Sequence, residues 1–179
     1  MILETQRLRL RELTLDDIGH VHSIIGDPVA MQWFPKVYSL DEAREWVERQ
    51  LRRYAVVGCG LWGCELKSSS EFIGMCGPTW QPVDEIWQLE IGYMFVRAHW
   101  GHGYAREAAR ACMDWAFNHY AVTRLISLIR AENEPSWRVA QRNGMTRGPE
   151  TMFHDLPHEV WEIKRAEWES AAASPRVNA

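Results

Sequence analysis

The sequence has no long apolar run and no strong excess of charge of one sign. No apolar stretch approaches the roughly 18 residues that a membrane-spanning helix needs, and the first residues, MILETQRLRLREL, lack the apolar core of a secretion signal. Twenty Lys and Arg against 24 Asp and Glu leave a net charge of −4, so the overall charge does not indicate a nucleic-acid partner. We therefore expect a cytoplasmic protein that spans no membrane and binds no nucleic acid directly.

Cysteine is scarce and is not arranged for a metal site or a disulfide framework. The four cysteines form no CxxC pair, and a chain of this length does not need disulfides to fold. We expect them to be reduced and mostly buried. His154 and His158 are four residues apart, but Pro157 between them argues against the helix that would place both on one face. We therefore predict no metal site.

What is present is the composition of an ordinary globular protein. The chain has 179 residues, of which 46% are hydrophobic and 25% charged, and this length corresponds to roughly one domain. We expect a single domain over residues 1–169. Residues 170–179, SAAASPRVNA, are low in complexity, and we expect a disordered tail there.

The spacing of apolar residues predicts alternating strands and helices. Ser39 followed by Glu42 forms a capping box ahead of a helix that Gly58 ends. The predicted helices lie near 14–25, 39–57, 103–119 and 135–143, and the predicted strands near 6–12, 61–66, 72–77, 86–96, 124–131 and 159–165, with a further candidate at 146–153. This order predicts an α/β fold with a central, mixed, mostly antiparallel twisted sheet of six to seven strands, flanked by about four helices.

Segment 86–96 has the clearest strand pattern. One face carries four aliphatic or aromatic side chains, Leu89, Ile91, Tyr93 and Phe95. Because successive side chains of a strand point to opposite faces, Glu90 is expected to face away from them.

A glycine-containing loop, RAHWGHGYAREA, follows this strand and precedes the longest predicted helix. Glycine allows close approach of the backbone to a ligand, and the first amides of a helix are unpaired donors at its positive end. The loop therefore suits a phosphate or diphosphate, held by the backbone amides of Trp100, Gly101, His102, Gly103, Tyr104 and Ala105. The alternative is a plain tight turn. A dinucleotide-binding GxGxxG motif would need a third glycine, and Arg106 occupies that position.

The loop resembles the acyl-CoA loop of the GNAT acetyltransferase superfamily, whose motif is Arg or Gln, two residues, Gly, any residue, and Gly or Ala. Gly101 and Gly103 match it, whereas Ala98 takes the first position and Arg97 lies one residue earlier. Further ordered segments resemble the RimJ/RimL-like branch, which acetylates protein N-termini and small amines: LETQRLRLREL, FIGMCG, LEIGYMF, WGHGYAREA and NEPSWRVAQRNGM.

The resemblance implies roles for several residues. It implies that the backbone around Phe95 and Val96, together with Asn133, binds the pantetheine arm, and that a backbone amide at Phe95 or Val96 stabilises the thioester oxygen. Many members have a tyrosine acid where this chain has Ala140, and the resemblance to the RimJ/RimL-like branch implies Ser136 instead. Asn133 and Ser136 could equally be residues of a helix N-terminus.

The implied reaction is transfer of an acetyl group from acetyl-CoA to a primary amine by direct attack in a ternary complex. Only a neutral amine is nucleophilic, and Glu90, acting through water, is the candidate base; the alternative is an ordinary surface carboxylate. The acceptor, a protein N-terminus or a small amine, stays open, as do acetyl against succinyl donors and monomer against homodimer. Two other functions also stay open, namely a non-catalytic acyl-CoA-binding regulatory module and a nucleotide-binding protein.

Ten tryptophans are an unusual feature that the loop motif does not explain. Most are expected in the core. Aromatic walls suit an amine or an apolar side chain, so Trp33, Trp80 and Trp87 are candidates to line the acceptor pocket.

Overall fold

An eight-stranded sheet organises residues 1–173, the part of the chain that the computed structural model describes. Its strands are β1 (Leu3–Glu4), β2 (Leu8–Arg11), β3 (Trp62–Leu66), β4 (Phe72–Val83), β5 (Ile86–Phe95), β6 (Arg124–Ile129), β7 (Thr146–Phe153) and β8 (Leu156–Lys164). The helices are α1 (Ile18–Ile25), α2 (Leu40–Val57), α3 (Tyr104–His119), α4 (Glu134–Arg142) and α5 (Arg165–Ala173). The strand order is β1-β2-β3-β4-β5-β6-β8-β7.

The predicted fold class is confirmed. Neighbouring strands are antiparallel except β5 and β6, which are parallel. Within residues 1–173 there is one strand and one helix more than the upper expectation, namely the two-residue β1 and the C-terminal α5.

Helix α5 corrects the predicted boundary of the tail. It continues to Ala173, so residues 170–173 are helical, and residues 174–179 lie outside the described part of the chain. The helix is anchored because Trp168 is buried and its indole nitrogen donates to Asp114 Oδ1 at 3.0 Å. Low sequence complexity alone did not reveal this anchor.

Strand β4 is longer than predicted because it forms a tight hairpin with β5. Asp84 and Glu85 have positive φ angles of 48° and 65°, which suits the two-residue turn that keeps strand pairing intact. Val96 N donates to Ile73 O at 2.9 Å. Since antiparallel ladders alternate, this register puts the two prolines of β4, Pro78 and Pro82, at positions that make no ladder hydrogen bond with β5.

The two faces of the sheet carry separate cores. Leu89, Ile91 and Phe95 of β5 are buried with residues of α3, whereas Met94 and Val96 pack against the core beneath α1 and α2. The predicted alternation along β5 is therefore confirmed, and helices cover both faces.

Strands β5 and β6 separate soon after they meet. Within residues 1–173 their only backbone pairing is that of Glu90 with Ile126. Beyond it, Ser127 Oγ donates to Ile91 O at 2.8 Å and Leu128 N donates to Glu90 Oε1 at 3.3 Å. Side chains thus replace the ladder, and a gap opens in the sheet towards the N-termini of α3 and α4.

The four cysteines, Cys59, Cys64, Cys76 and Cys112, are buried and unpaired, as predicted. Burial raises the pKa of all four thiols, so they stay protonated near neutral pH and behave as small apolar side chains. No helix within residues 1–173 is both long and apolar enough to cross a bilayer.

Candidate active site

The loop between β5 and α3 presents unpaired backbone amides. Gly101 and Gly103 both have a φ of +79°, the left-handed region that glycine adopts without strain. Gly103 is the N-cap of α3, and the first helical hydrogen bond runs from Glu107 N to Gly103 O at 3.1 Å. The three amides between them have no partner within the helix, so they are donors for an anion.

The N-terminal segment holds this loop in place. Glu107 accepts hydrogen bonds from Thr5 Oγ1, Arg7 N and Arg7 Nε at 2.5, 2.8 and 2.6 Å. Arg7 also donates to His102 O at 3.0 Å and lies over the Tyr104 ring. Burial acts to raise the pKa of Glu107, but these hydrogen bonds outweigh it and hold the pKa below its usual value.

A groove of about 400 Å³ lies against the loop. Three arginines, Arg106, Arg138 and Arg142, line it and give it a positive side. Of the sequence-predicted coenzyme residues, the groove brings together Phe95, Trp100, Gly101, Gly103, Tyr104, Ala105, Asn133 and Ser136. The amide of Trp100 donates to Arg97 O at 3.1 Å, so the expectation that this amide holds the anion is wrong. The shape and charge of the groove suit a long, anionic ligand.

Two of the predicted coenzyme residues are placed differently. His102 does not line the groove; its carbonyl accepts from Arg7 and its ring stacks on Tyr104, and the role of its backbone amide stays a prediction. Val96 N donates to Ile73 O, and Val96 O accepts from His99 N, both at 2.9 Å. The backbone of Val96 is therefore occupied, and the expectation that it binds a ligand or stabilises an oxyanion is wrong.

Along β5, successive residues direct their backbone N–H and C=O groups alternately towards β4 and away from it. With Val96 bonded to β4, the backbone groups of Phe95 and Tyr93 point towards the gap between β5 and β6. Phe95 O accepts from Trp100 Nε1 at 2.8 Å. Of the two predicted oxyanion donors, only the amide of Phe95 faces the gap. Sequence reasoning missed Tyr93, because the register with β4 decides which residues of β5 direct their backbone groups towards the gap.

A second cavity, of about 750 Å³, lies on the other side of the gap, against α2. The two cavities share six lining residues: Trp33, Phe34, Tyr93, Met94, Asn133 and Ser136. They therefore meet where β5 and β6 separate. A ligand in the groove and a second molecule in the larger cavity can approach each other at this junction.

Glu90 lines the larger cavity, as its predicted position on β5 implies. Its carboxylate accepts from Gln81 Nε2 at 3.0 Å, Thr79 Oγ1 at 3.4 Å and Leu128 N at 3.3 Å. Burial raises the pKa of Glu90, and the hydrogen bonds from Gln81 and Leu128 and the charge of Arg53 offset this only in part. A carboxylate with a raised pKa is suited to proton transfer near neutral pH.

The N-terminus of α4 reaches the junction. Asn133 caps this helix, because its side-chain oxygen accepts from Ser136 N at 3.3 Å. Asn133 also lines both cavities. Tyr93 Oη donates to Ser136 O at 2.8 Å, which fixes the helix to β5. Ala140 is buried in the core, so Ser136 is the hydroxyl of α4 at this junction.

Of the three candidate tryptophans, one lines the cavities and two lie elsewhere. Trp33 lines both cavities. Trp80 packs edge-on against Tyr120, on the face of β4 opposite Thr79, and Trp87 is 66% exposed near the tip of the β4–β5 hairpin. The acceptor-pocket prediction is therefore wrong for Trp80 and Trp87, because the extended hairpin aims them away from the cavity.

Sequence reasoning also missed residues around Glu90. Gln81 lies beyond the predicted end of strand 72–77, but the structure places it on β4, opposite Gln88 of β5. Arg49 and Arg53 of α2 line the larger cavity. Their spacing of four residues places them on one helix face, but only the tertiary packing shows that this face meets Glu90.

Comparisons with known proteins agree with this geometry. The family model described as an acetyltransferase (GNAT) domain matches residues 7–146. An uncharacterized protein of Bacillus subtilis (strain 168), YkkB, is 37% identical over 163 residues, covering 90% of this chain and 95% of that protein.

Solved structures show the same fold. An acetyltransferase from Agrobacterium tumefaciens str. C58 superposes with a TM-score of 0.80 at 28% identity, covering 91% of this chain and 94% of the other. RimL, a ribosomal L7/L12 alpha-N-protein acetyltransferase in complex with coenzyme A, gives a TM-score of 0.76 at 17% identity, covering 93% and 98%. The family match, the fold and the loop at the diverging strands lead to one conclusion: this chain is an acetyltransferase of the GNAT family.

Proposed function

We propose that the protein transfers an acetyl group from acetyl-CoA to a primary amine while both are bound. The observation that carries this is the junction of the two cavities beside the gap between β5 and β6. One cavity ends in a cradle of backbone amides, and the other contains a carboxylate with a raised pKa. Acetyl-CoA, when bound, supplies an acetyl group activated as a thioester.

The residues of the groove fit this co-substrate. The unpaired amides at the start of α3 lie at the positive end of the helix, and they would hold the diphosphate. Arg106, Arg138 and Arg142 would attract the remaining phosphate charge. The backbone groups of Tyr93 and the side chain of Asn133 would orient the pantetheine arm towards the junction.

Glu90 would act on the acceptor. An α-amino group has a pKa of about 8, more than two units below that of lysine, so near neutral pH it needs only modest help to lose a proton. The raised pKa of Glu90 allows it to accept this proton through a water molecule. Gln81 and Leu128 would keep the carboxylate oriented.

Two groups would act on the acetyl donor. The amide of Phe95 would donate to the oxygen of the acetyl group, where negative charge develops. The hydroxyl of Ser136, at the N-terminus of α4, would protonate the departing sulfur. Tyr93 would position Ser136 through its hydrogen bond to the carbonyl of that residue.

The acceptor is a primary amine, either a protein N-terminus or a small molecule. RimL is named for acetylating a ribosomal protein N-terminus, and another neighbour of this fold is an aminoglycoside acetyltransferase. Both of these enzymes are named for the acetylation of amines, the reaction proposed here, and the 750 Å³ cavity can accommodate an amine acceptor.

The test is thiol release from acetyl-CoA in the presence of N-terminal peptides and small amines. We expect release with the wild type, and a loss of kcat of about 100-fold or more for Glu90→Gln and of about tenfold or more for Ser136→Ala. Glu48→Gln, on α2 and away from both cavities, is the matched control and should leave the rate unchanged. Full rates for both site variants would contradict the assigned base and acid.

The same assay tests the regulatory module. Two features leave that alternative open. Ala140 stands where many family members have a tyrosine acid, and Arg97 pairs with Asp27 at 3.5 Å rather than extending along the groove. Coenzyme A binding in calorimetry, without thiol release for any amine, would support the module and contradict catalysis. Titration with NAD tests the alternative of a nucleotide-binding protein, and we expect no binding.

A further inference from the structure

Two arginines on α2 face the larger cavity. Arg49 and Arg53 are four residues apart and both line it, so their side chains emerge from the same helix face about 6 Å apart. Arg53 is partly buried, and it lies close enough to Glu90 for each charge to affect the pKa of the other. The pair therefore stands beside the proposed acceptor amine.

Neither arginine has a carboxylate partner within residues 1–173, where no acidic oxygen comes within 4.0 Å of either guanidinium. The remaining charged or titratable groups of the cavity are Lys36, Tyr38, Glu42, Glu45, Glu90, Tyr93, His154, Asp155 and His158. Lys36 and Glu42 form an ion pair with each other. Glu45 is exposed, and Asp155 lies at the tip of the β7–β8 hairpin.

Two unpaired like charges on one helix face, of which Arg53 is partly buried and Arg49 exposed, are unfavourable. Burial lowers the pKa of Arg53, and the charge of Arg49 lowers it further. Guanidinium groups bind carboxylates in a two-pronged geometry that lysine cannot match. An anionic group of the acceptor would relieve the repulsion between the two arginines and supply their missing partner.

We propose that the acceptor is a dipolar amine, with a carboxylate that Arg49 and Arg53 bind while its amino group faces Glu90. The inference rests on the proposed function and narrows its substrate class. A purely cationic acceptor, such as a polyamine or an aminoglycoside, would place like charge against the two arginines. The carboxylate can come from the α-carboxyl of a free amino acid or from an acidic side chain near a peptide N-terminus.

The experiment compares matched acceptors by thiol release. Free amino acids are paired with their C-terminal amides, and Asp-Ala-amide is paired with Asn-Ala-amide, so each pair differs by one carboxylate. Spermidine serves as the polycation. Because a hydrogen bond to a charged group contributes strongly, we expect kcat/KM to favour the carboxylate member of at least one pair by about 10- to 100-fold. The pair that responds identifies the source.

Variants assign the preference to the arginines. Arg53→Gln and Arg49→Gln should each reduce the preference by about tenfold, mainly through KM, and Arg53→Lys should retain part of it. Arg52→Gln removes the same charge from an exposed position of α2 and should leave the preference unchanged. Calorimetry with the N-acetylated products gives a readout without turnover, and the acid should bind more tightly than the amide.

The outcomes separate this inference from the proposed function. Equal or better turnover of amides or spermidine, with Arg53→Gln and Arg49→Gln unchanged, would overturn the inference and leave the acetyltransferase intact. Absence of thiol release with every amine would contradict the proposed function itself. If Arg53→Gln fails to fold, Arg49→Gln at its exposed position decides the inference alone.

Discussion

Removing the hydrogen bond from Gln81 to Glu90 is expected to shift the pH dependence of catalysis. Gln81 Nε2 donates to Glu90 Oε2 at 3.0 Å and stabilises the charged form of the carboxylate. Gln81→Leu removes that donor, so the pKa of Glu90, already raised by burial, rises further.

The size of the shift follows from the strength of the bond. A hydrogen bond to a charged group contributes about 1.5 to 3 kcal/mol, and one pKa unit corresponds to about 1.4 kcal/mol. Because the cavity is open to solvent, we take the lower end and expect a shift of about one pH unit. The base works only when deprotonated, so activity at pH 7 should fall and should recover at higher pH.

The assay is the pH profile of kcat/KM for thiol release. Glu90→Gln should abolish the limb that Gln81→Leu moves, whereas deprotonation of the free acceptor amine contributes a limb that neither variant changes. Gln141→Leu, at an exposed position of α4, is the control and should reproduce the wild-type profile. A Gln81→Leu profile that coincides with the wild type would show that Glu90 is not the titrating base.

Three further predictions concern the loop and the fold. A Cβ at Gly101 would meet nothing within 4 Å, so the cost of Gly101→Val is conformational. It should weaken coenzyme A binding about tenfold, whereas Gly101→Asn should change it little; equal affinities in calorimetry would contradict the loop conformation. Glu107→Gln weakens the contacts that hold the loop to Arg7, and we expect a several-fold loss of coenzyme A affinity without loss of the fold; unchanged affinity would exclude a positioning role. Asp17 accepts two hydrogen bonds from Arg11 at 2.7 and 2.8 Å, and burial opposes but does not overcome their lowering of its pKa. Asp17→Asn should cost about 1 to 3 kcal/mol of unfolding free energy near pH 7; since the folded pKa is lowered, the difference from the wild type should shrink as pH falls through it, and a difference independent of pH in denaturant titrations would refute this.

Local signals predicted much of the fold. Ser39 and Glu42 form the predicted capping box, and Gly58, in the left-handed region, ends α2 as expected. Gly101 and Gly103 lie directly before the longest helix, as expected, and the structure adds that both have positive φ angles. Each of these features depends on residues within one helical turn, so the sequence contains the relevant information.

Features that depend on register or on tertiary packing were not predicted. Side-chain alternation places Phe95 and Val96 on opposite faces, but only the pairing of Val96 with Ile73 shows which backbone amide is free. Likewise Trp80 and Trp87 are directed by a hairpin whose two-residue turn extends β4 beyond its predicted end. The resemblance supplied Glu90 and Ser136 as candidates, and the structure adds the cavity junction at which their proposed roles can be tested.

A crystal structure of the complex with coenzyme A tests the account most directly. We expect the diphosphate against the amides at the start of α3, beside Gly103, and the thiol at the junction of the two cavities near Ser136. A coenzyme bound elsewhere, or one whose thiol points away from the cavity that contains Glu90, would contradict the account.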